Sequence, residues 1–134
     1  MAESNQFALR IITPERVFYE DEVDMAEFNT TEGEVGIYRN HIPMTMIIKS
    51  GVLTITKGDE KKHAALHEGF VEVLQEKVTI LAEVIEWPDE IDVARAEAAR
   101  DRAEERLAHV DEKINVARAE AAIARALTRI QIIK

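Results

Sequence analysis

The chain has 134 residues, no cysteine and a formal net charge of −9 at pH 7, which is enough material for one domain or for a small domain with an extension. The lack of cysteine excludes disulfides and thiolate metal sites, and the acidic balance argues against a general nucleic-acid binder, because phosphate contacts need a surplus of Lys and Arg. With no apolar run of the roughly 20 residues that span a bilayer and no signal-peptide pattern in residues 1–10, we expect a soluble, cytoplasmic protein.

The first 87 residues have the pattern of short strands separated by turns. Candidate strands cover residues 7–12, 17–19, 23–28, 33–38, 44–48, 52–56, a segment that ends near His67, 70–74 and 78–84. No helical crossover separates them, so the pattern favours an antiparallel sandwich or flattened barrel over a parallel α/β fold.

The composition changes at Trp87 and Pro88, after which neither Gly nor Pro occurs again. The spacing predicts one helix over 91–108 and a second over 112–132, with Asp111 as a cap and a connection short enough to force an antiparallel hairpin. The predicted fold class is α+β. An N-terminal antiparallel β-sandwich over residues 1–87 is followed by a C-terminal antiparallel two-helix hairpin over 88–134.

Alanine dominates the predicted contact between the two helices. The stripes assigned to it are Ala94, Ala98 and Leu107 on the first helix, and Ile114, Ala117, Ala121, Ala124, Leu127 and Ile130 on the second. Alanine contributes little burial compared with the roughly 1.5–3 kcal/mol of a buried Leu or Ile. We therefore predict a hairpin that opens at modest cost in free energy.

The second helix is basic on an acidic protein. Residues 1–88 carry 16 acidic and 8 basic side chains, whereas Glu120 is the only acid after residue 113. The opposing bases are Lys113, Arg118, Arg125, Arg129 and Lys134. Such a helix either binds an acidic surface or an anionic ligand or is an ordinary solvated face, and the sequence leaves both open.

No set of residues in the chain has the pattern of a catalytic or metal site. Phosphate-binding glycine loops are missing, and neither Ser4 nor Ser50 lies in the context of a catalytic nucleophile. His63 and His67 are four residues apart, but in a strand-rich region they lack the shared helical face of a metal site. We predict no catalytic residue, no metal ligand and no enzyme activity.

Several motifs in chain order resemble the epsilon subunit of bacterial F-type ATP synthases. Residues 33–43 read Gly-Glu-Val-Gly-Ile-Tyr-Arg-Asn-His-Ile-Pro, residues 50–53 read Ser-Gly-Val-Leu, and residues 91–96 read Ile-Asp-Val-Ala-Arg-Ala. Segments 69–73 and 77–82 are similar to the family's last β-hairpin, so the resemblance covers essentially the whole chain. One departure is Arg39-Asn40, where many members have Pro-Gly.

The resemblance implies a non-catalytic subunit of the rotating central stalk, peripheral on the cytoplasmic face of the cell membrane. Its partners would be the gamma subunit, the c-ring, and the alpha and beta subunits. Glu34 and His41 match positions that contact the c-ring and gamma, although a turn residue and a loop hydrogen-bond partner are the alternatives. An extended hairpin would insert among the alpha and beta subunits and block ATP hydrolysis. The bases that we expect to contact an acidic loop of beta are Lys113, Arg118, Arg125 and Arg129.

In several bacterial members the folded hairpin binds ATP, so the resemblance implies ATP as a regulatory ligand and leaves Mg²⁺ open. The matching positions are Glu86, Ile91, Asp92, Arg95, Ala96, Arg102, Arg125 and Arg129. We expect the four guanidiniums to converge without a fixed charge partner, as a triphosphate site requires. The alternative for Asp92 and Arg95 is an ordinary ion pair along the helix. The alternative for the whole chain is a free-standing nucleotide sensor, which a stable complex with gamma would exclude as the main role.

Overall fold

The computed structural model describes residues 5–109 and 115–133, and it confirms the predicted fold class of a β-sandwich followed by two helices. The strands are β1 (Phe7–Ile12), β2 (Val17–Val23), β3 (Met25–Thr30), β4 (Gly33–Ile37), β5 (Met44–Ile48), β6 (Gly51–Lys57), β7 (Glu60–Val73) and β8 (Lys77–Glu86). A 3₁₀ turn, Pro88–Glu90, leads into α1 (Val93–Ala108) and α2 (Val116–Ile133). The start predicted for the second helix, with Asp111 as its cap, lies outside the described residues.

Strand β7 differs from the prediction, because the segment near His67 and the strand over 70–74 are one strand of 14 residues. Gly69 lies inside it, where β7 pairs with β8. A Cβ at this position would collide with the main-chain oxygen of Leu81. This glycine therefore permits a close approach of two strands and does not mark a turn.

The strands pair in the order β2-β1-β8-β7-β5-β3-β4, and β6 pairs with β3 and β7. Every pairing is antiparallel except that of β1 with β8, where Leu9 lies opposite Val78 and Ile11 opposite Ile80. The first and last strands are thus neighbours, which brings the end of β8 and the following helices beside the body of the sandwich.

The core lies inside the sandwich and consists of large apolar side chains. Strand β1 alternates between buried and half-buried positions along its whole length, as expected for a strand with one face toward a core. The largest fully buried side chains include Phe7, Leu9, Ile11, Phe28, Ile37, Leu53, Ile55 and Ile80. Each contributes on the order of 1.5–3 kcal/mol of transfer free energy.

Helix α2 lies between the sandwich and α1, and the contact between the helices is made by other alanines than predicted. The buried residues of α1 are Ala96 and Ala103, seven apart, and α2 buries Ala119 and Ala126 at the same spacing. Ile130, four residues after Ala126, extends this stripe. We call these five residues the helix seam.

The seam prediction was therefore right for Ile130 but wrong in its choice of face for the alanines. Ala94 and Ala98 are exposed, and Ile114 lies outside the described residues. The stripe of Ala117, Ala121 and Ala124 lies on the opposite side of α2, where it lines a cleft of about 670 Å³ against the sandwich. The sandwich walls of this cleft are Thr31, Ile47, Ile48, Lys49, Ser50, Glu68 and Gly69.

Candidate functional site

The segment between the sandwich and α1 is fixed to the sandwich. The Trp87 ring stacks on Phe18 with 4.4 Å between the centroids, and the Trp87 amide donates to Glu90 Oε1 at 2.9 Å. Arg16 Nη2 lies 2.8 Å from Glu90 Oε2. The Trp87 amide and then Arg16 hold the pKa of Glu90 below its ordinary value. These contacts attach the 3₁₀ turn to the sandwich, so the attachment ends just before Ile91.

Asp92 is the N-cap of α1. Its Oδ1 accepts a hydrogen bond from the Arg95 backbone amide at 3.1 Å. A cap of this kind typically stabilises a helix by about 1 kcal/mol. The contact between the two residues thus uses the Arg95 backbone and leaves its guanidinium free for other partners.

Glu86 joins α2 to the sandwich. Its Oε1 accepts from Arg129 Nε at 2.7 Å and from His67 Nε2 at 3.1 Å. His67 is 1% exposed, and its Nδ1 is buried without a hydrogen-bond partner among the described residues. Burial alone would raise the pKa of Glu86, but the hydrogen bonds from His67 and Arg129 outweigh it and hold the pKa below its usual range. Glu86 is therefore an anion that accepts hydrogen bonds both from α2, through Arg129, and from β7, through His67.

A second ion pair lies four residues earlier in α2. Arg125 Nη1 donates to Glu68 Oε1 at 2.7 Å, with both side chains partly exposed. We call the pairs Arg125–Glu68 and Arg129–Glu86 the closing ion pairs, because each joins the hairpin to the sandwich. The expectation that all four arginines lack a fixed charge partner was therefore wrong for two of them, since β7 and β8 place carboxylates beneath α2.

The other two arginines of the predicted ATP site have no charged partner among the described residues. Arg95 and Arg102 are exposed, and neither forms an ion pair with another described residue. All four arginines directly precede a seam residue: Arg95 before Ala96, Arg102 before Ala103, Arg125 before Ala126 and Arg129 before Ile130. In an antiparallel pair of right-handed helices, positions with the same offset from the seam lie along the same side of the pair. The structure thus brings the four arginines to one side of the hairpin.

The remaining residues of the ATP prediction lie where the hairpin begins. Glu86 ends β8, Ile91 is half-buried, and Ala96 belongs to the helix seam. Helix α2 contacts the 3₁₀ turn, and Arg129 near its end is bonded to Glu86 at the end of β8, so the start of α1 and the end of α2 are adjacent.

The predicted contacts with the beta subunit are only partly accessible in this folded hairpin. Arg118 is exposed, and its amide donates to Asn115 Oδ1 at 3.0 Å. Lys113 lies outside the described residues. Arg125 and Arg129 are engaged in the closing ion pairs, so a new acidic partner would have to replace Glu68 and Glu86.

Glu34 lies within β4, and His41 lies in the loop that follows this strand. Glu34 is exposed near the start of this edge strand, whereas His41 lies in the loop after it, with Nδ1 2.9 Å from the Ile42 carbonyl oxygen. The loop rests on the β7–β8 turn through a bond from the Asn40 amide to the Gln75 carbonyl at 2.7 Å.

Two apolar surfaces of the sandwich are exposed. Ile47, Phe70, Leu81 and Ile12 are successive neighbours across β5, β7, β8 and β1, and they line a cleft of about 620 Å³. We call these four residues the apolar row. At the end of the sandwich that carries His41, Tyr38 and Ile42 are 58% and 76% exposed.

Sequence reasoning missed His67 and Glu68 as members of this site. Their partners lie 19 and 57 residues away in the chain, so no local pattern indicates either contact. In the described part of the chain, no group of three or more His, Asp or Glu side chains is arranged to hold a metal. None of the described helices is long and apolar enough to cross a membrane.

Comparisons with known proteins agree with this arrangement. The family model for the β-sandwich domain of the ATP synthase delta/epsilon chain matches residues 6–88, and that for the long α-helix domain of the same chain matches residues 89–134. In solved structures, a chain of the Euglena gracilis mitochondrial ATP synthase (OSCP/F1/c-ring) covers 100% of this chain, with 85% of its own length, a TM-score of 0.86 and 20% identity. A chain of the Tetrahymena thermophila mitochondrial ATP synthase central stalk and c-ring has a TM-score of 0.65 and 12% identity, over 99% and 100% of the two chains.

Curated sequences give closer relatives. The ATP synthase epsilon chain of Caldanaerobacter subterraneus subsp. tengcongensis is 46% identical over 127 residues, which covers 94% of this chain and 92% of that one. The epsilon chain of Alkaliphilus oremlandii is 48% identical over 105 residues, 78% of each chain. The chain therefore belongs to the ATP synthase delta/epsilon family, as a member of its bacterial epsilon chains.

Proposed function

We propose that the chain works as a non-catalytic subunit in the central stalk of a proton-translocating F-type ATP synthase, where it couples rotation between gamma and the c-ring. The observation that carries this proposal is the match of both family domains, in order, over residues 6–134. The subunit is peripheral at the cytoplasmic face of the cell membrane and meets the alpha and beta subunits through its hairpin.

The apolar row is the surface proposed to bind gamma. Ile47 and Phe70 are 62% and 47% exposed and adjoin a groove, and contiguous apolar surface of this kind marks protein–protein contacts. The end of the sandwich that carries His41, Tyr38 and Ile42 is proposed to face the c-ring, with Glu34 as a further contact.

The hairpin is proposed to bind ATP when it is folded. Arg95 and Arg102 offer unpaired guanidiniums on the side of the hairpin that also carries Arg125 and Arg129. Four such groups suit a triphosphate, because each guanidinium can donate two parallel hydrogen bonds to the oxygens of a phosphate. Ile91 packs on the adenine ring, and the amino group of the adenine donates a hydrogen bond to Asp92 or Glu86. The supporting geometry is the adjacency of the start of α1 and the end of α2.

ATP then acts by mass action on the position of the hairpin. A ligand that binds only the folded form stabilises it by about 2.7 kcal/mol at a hundredfold excess over its Kd. At low ATP the hairpin opens, Arg118, Arg125 and Arg129 bind the acidic surface of beta together with Lys113, and ATP hydrolysis is blocked. At high ATP the hairpin stays folded and the motor runs.

Calorimetric titration of the purified chain with ATP, with and without Mg²⁺, tests the nucleotide part. We expect saturable binding that is lost in Asp92→Ala/Arg95→Ala. The matched control is Arg100→Ala/Asp101→Ala, which removes one base and one acid from the exposed surface of the same helix, where the two side chains contact each other at 3.3 Å. Equal loss of binding in both double variants, or no binding at millimolar ATP, would contradict the ATP site.

An assembled complex tests the regulatory part. We expect Arg95→Ala/Arg129→Ala to change how inhibition of ATP hydrolysis depends on ATP concentration, because the folded form then loses its ligand. Inhibition that follows the wild-type curve at every ATP level would count against the proposal. Co-purification of the chain with gamma, weakened by Phe70→Glu, tests the stalk role independently of nucleotide.

A further inference from the structure

We propose that Glu68 sets the nucleotide affinity of the hairpin, because its carboxylate and the phosphates of ATP compete for the Arg125 guanidinium. This inference rests on the nucleotide site of the proposed function and adds to it a residue on the sandwich. Glu68 belongs to β7, outside both helices, and its only ion pair among the described residues is the one with Arg125.

The contact between Glu68 and Arg125 is well placed for exchange. The distance from Arg125 Nη1 to Glu68 Oε1 is 2.7 Å, which is within the range of a charge-assisted hydrogen bond. The Glu68 side chain is 50% exposed, so water can take the place of Arg125 when the guanidinium turns to a phosphate. Neither group would then be left buried and unpaired.

The other closing ion pair differs in this respect. Glu86 Oε1 is shared between Arg129 and the buried His67, so its carboxylate keeps a hydrogen bond when Arg129 leaves. Glu86 is also the less exposed of the two carboxylates, with 23% of its side chain accessible. Glu68 is therefore the carboxylate whose contact with α2 serves closure alone and is the easier one for a phosphate to replace.

Because of this competition, Glu68 has opposite effects on the hairpin in the absence and in the presence of nucleotide. Without nucleotide, Glu68 holds Arg125 and favours the closed hairpin. With nucleotide, the Glu68 carboxylate competes with the phosphates for Arg125 and repels the anionic triphosphate. Removing the carboxylate should therefore loosen the empty hairpin and tighten ATP binding at the same time, a pair of signs that a merely structural residue does not produce.

The expected sizes follow from the exposure of the pair. An exposed ion pair changes an equilibrium constant by at most about fivefold, so hydrogen-exchange protection of α2 without ATP should fall about two- to fivefold. Release of Arg125, together with relief of the repulsion between Glu68 and the triphosphate, should tighten ATP binding about three- to tenfold. The loosening leaves the apparent affinity intact as long as the closed form predominates.

The experiment uses the full-length chain with Glu68→Gln, Glu68→Ala and the matched control Glu72→Gln. Glu72 is exposed on the same strand, about 13 Å further along, and it forms no ion pair with a described residue. Calorimetry gives the ATP affinity and hydrogen exchange gives the protection of α2, while exchange of the strands checks that the sandwich is intact. Both Glu68 variants should show lower protection and tighter ATP binding, and Glu72→Gln should stay within twofold of wild type.

The outcomes separate the two proposals. ATP that binds the wild-type chain and both Glu68 variants equally, or binds the variants more weakly, overturns the role of Glu68 and leaves the nucleotide site standing. ATP that binds a Glu68 variant but not the wild type supports the competition directly. No binding to any of these chains at millimolar ATP overturns the nucleotide site and this inference together. An equal gain in affinity in Glu72→Gln would show a general charge effect and would also overturn it.

Discussion

The sandwich and the hairpin are held together by different kinds of contact. The sandwich buries side chains such as Leu9, Phe28 and Leu53 to 2% exposure or less. The described part of the hairpin buries Thr128 and a seam in which four of five residues are alanine, and two ion pairs join it to the sandwich beside an open cleft. Burial per residue is therefore large in one region and small in the other.

This difference predicts that the hairpin opens at a lower free energy than the sandwich unfolds. Parts of a protein with few buried apolar contacts exchange and unfold locally at lower free energy than its core. A rigid body that docks and a weakly held arm that moves are what the proposed function needs from one chain. If the contrast in contacts is also a contrast in stability, substitutions in the two regions will differ in size and in where they act.

The largest expected effect is in the sandwich core. Leu53→Ala removes a side chain that is fully buried, so we expect a loss of about 2–5 kcal/mol in the free energy of unfolding. Urea unfolding followed by circular dichroism measures it. The corresponding small change in the seam, Ala103→Gly, should cost only about 1 kcal/mol and appear in helix exchange. If the two variants lose equal global stability, the contrast between the regions does not hold.

The next effect concerns the attachment of α2. Glu86→Gln removes the charge that Arg129 and His67 share, and hydrogen bonds to charged groups contribute about 1.5–3 kcal/mol. We expect lower hydrogen-exchange protection of α2 with little change in β1 and β6. Glu83→Gln, an exposed acid on the same strand, is the control. Unchanged protection of α2 in Glu86→Gln would mean that the hairpin is held without a contribution from the charge of Glu86.

The same carboxylate predicts a pH dependence. The pKa of Glu86 is lowered in the folded protein by its hydrogen bonds to His67 and Arg129, against the effect of burial. Its stabilising effect is therefore complete above the unfolded-state pKa of about 4.3 and is lost as the pH falls through the lower, folded-state value. Protection of α2 should decline in acid as the pH falls through this lowered value, and Glu86→Gln should remove part of that decline. A decline of the same size in the variant would assign it to other carboxylates.

The sequence predicts the elements well because their signals are local. The strand pattern predicted the strands, and the change in composition at Pro88 together with the residue spacing predicted a first helix that begins within two residues of the observed α1. The parallel pairing of β1 with β8 could not be predicted, since it joins residues about 70 positions apart and leaves no local pattern. The predicted break in β7 failed because Gly69 serves close packing there.

The seam and the closing ion pairs were beyond the sequence for a related reason. Alanines occupy several faces of both helices, so periodicity alone cannot choose between Ala94 and Ala96, or between Ala117 and Ala119. Residues of the nucleotide prediction came from family resemblance, and whether they bind ATP stays a prediction. Glu68 and His67 were missed because a carboxylate or imidazole on a strand gives no sign of which helix will cover it.

The smallest expected effect has the opposite sign. Ala121 lines the cleft of about 670 Å³ between α2 and the sandwich, opposite Ile47 and Ile48. Ala121→Leu adds apolar volume there, and substitutions that fill cavities commonly stabilise by about 0.5–2 kcal/mol. We expect higher protection of α2 and, in an assembled complex, weaker inhibition at low ATP. Ala98→Leu, the same change at an exposed position of α1, should alter neither.

The outcome of Ala121→Leu bears directly on how the hairpin is held. If the ion pairs provide most of the attachment, the leucine adds apolar contact in the cleft that the alanines lack. The hairpin is then held partly by apolar burial, as the sandwich is. If protection of α2 falls instead, the cleft does not accept a leucine, because α2 and the sandwich are fitted to alanine at this position. Small residues would then define the spacing of the closed state, and the weakness of the hairpin would follow from its geometry as much as from its low burial.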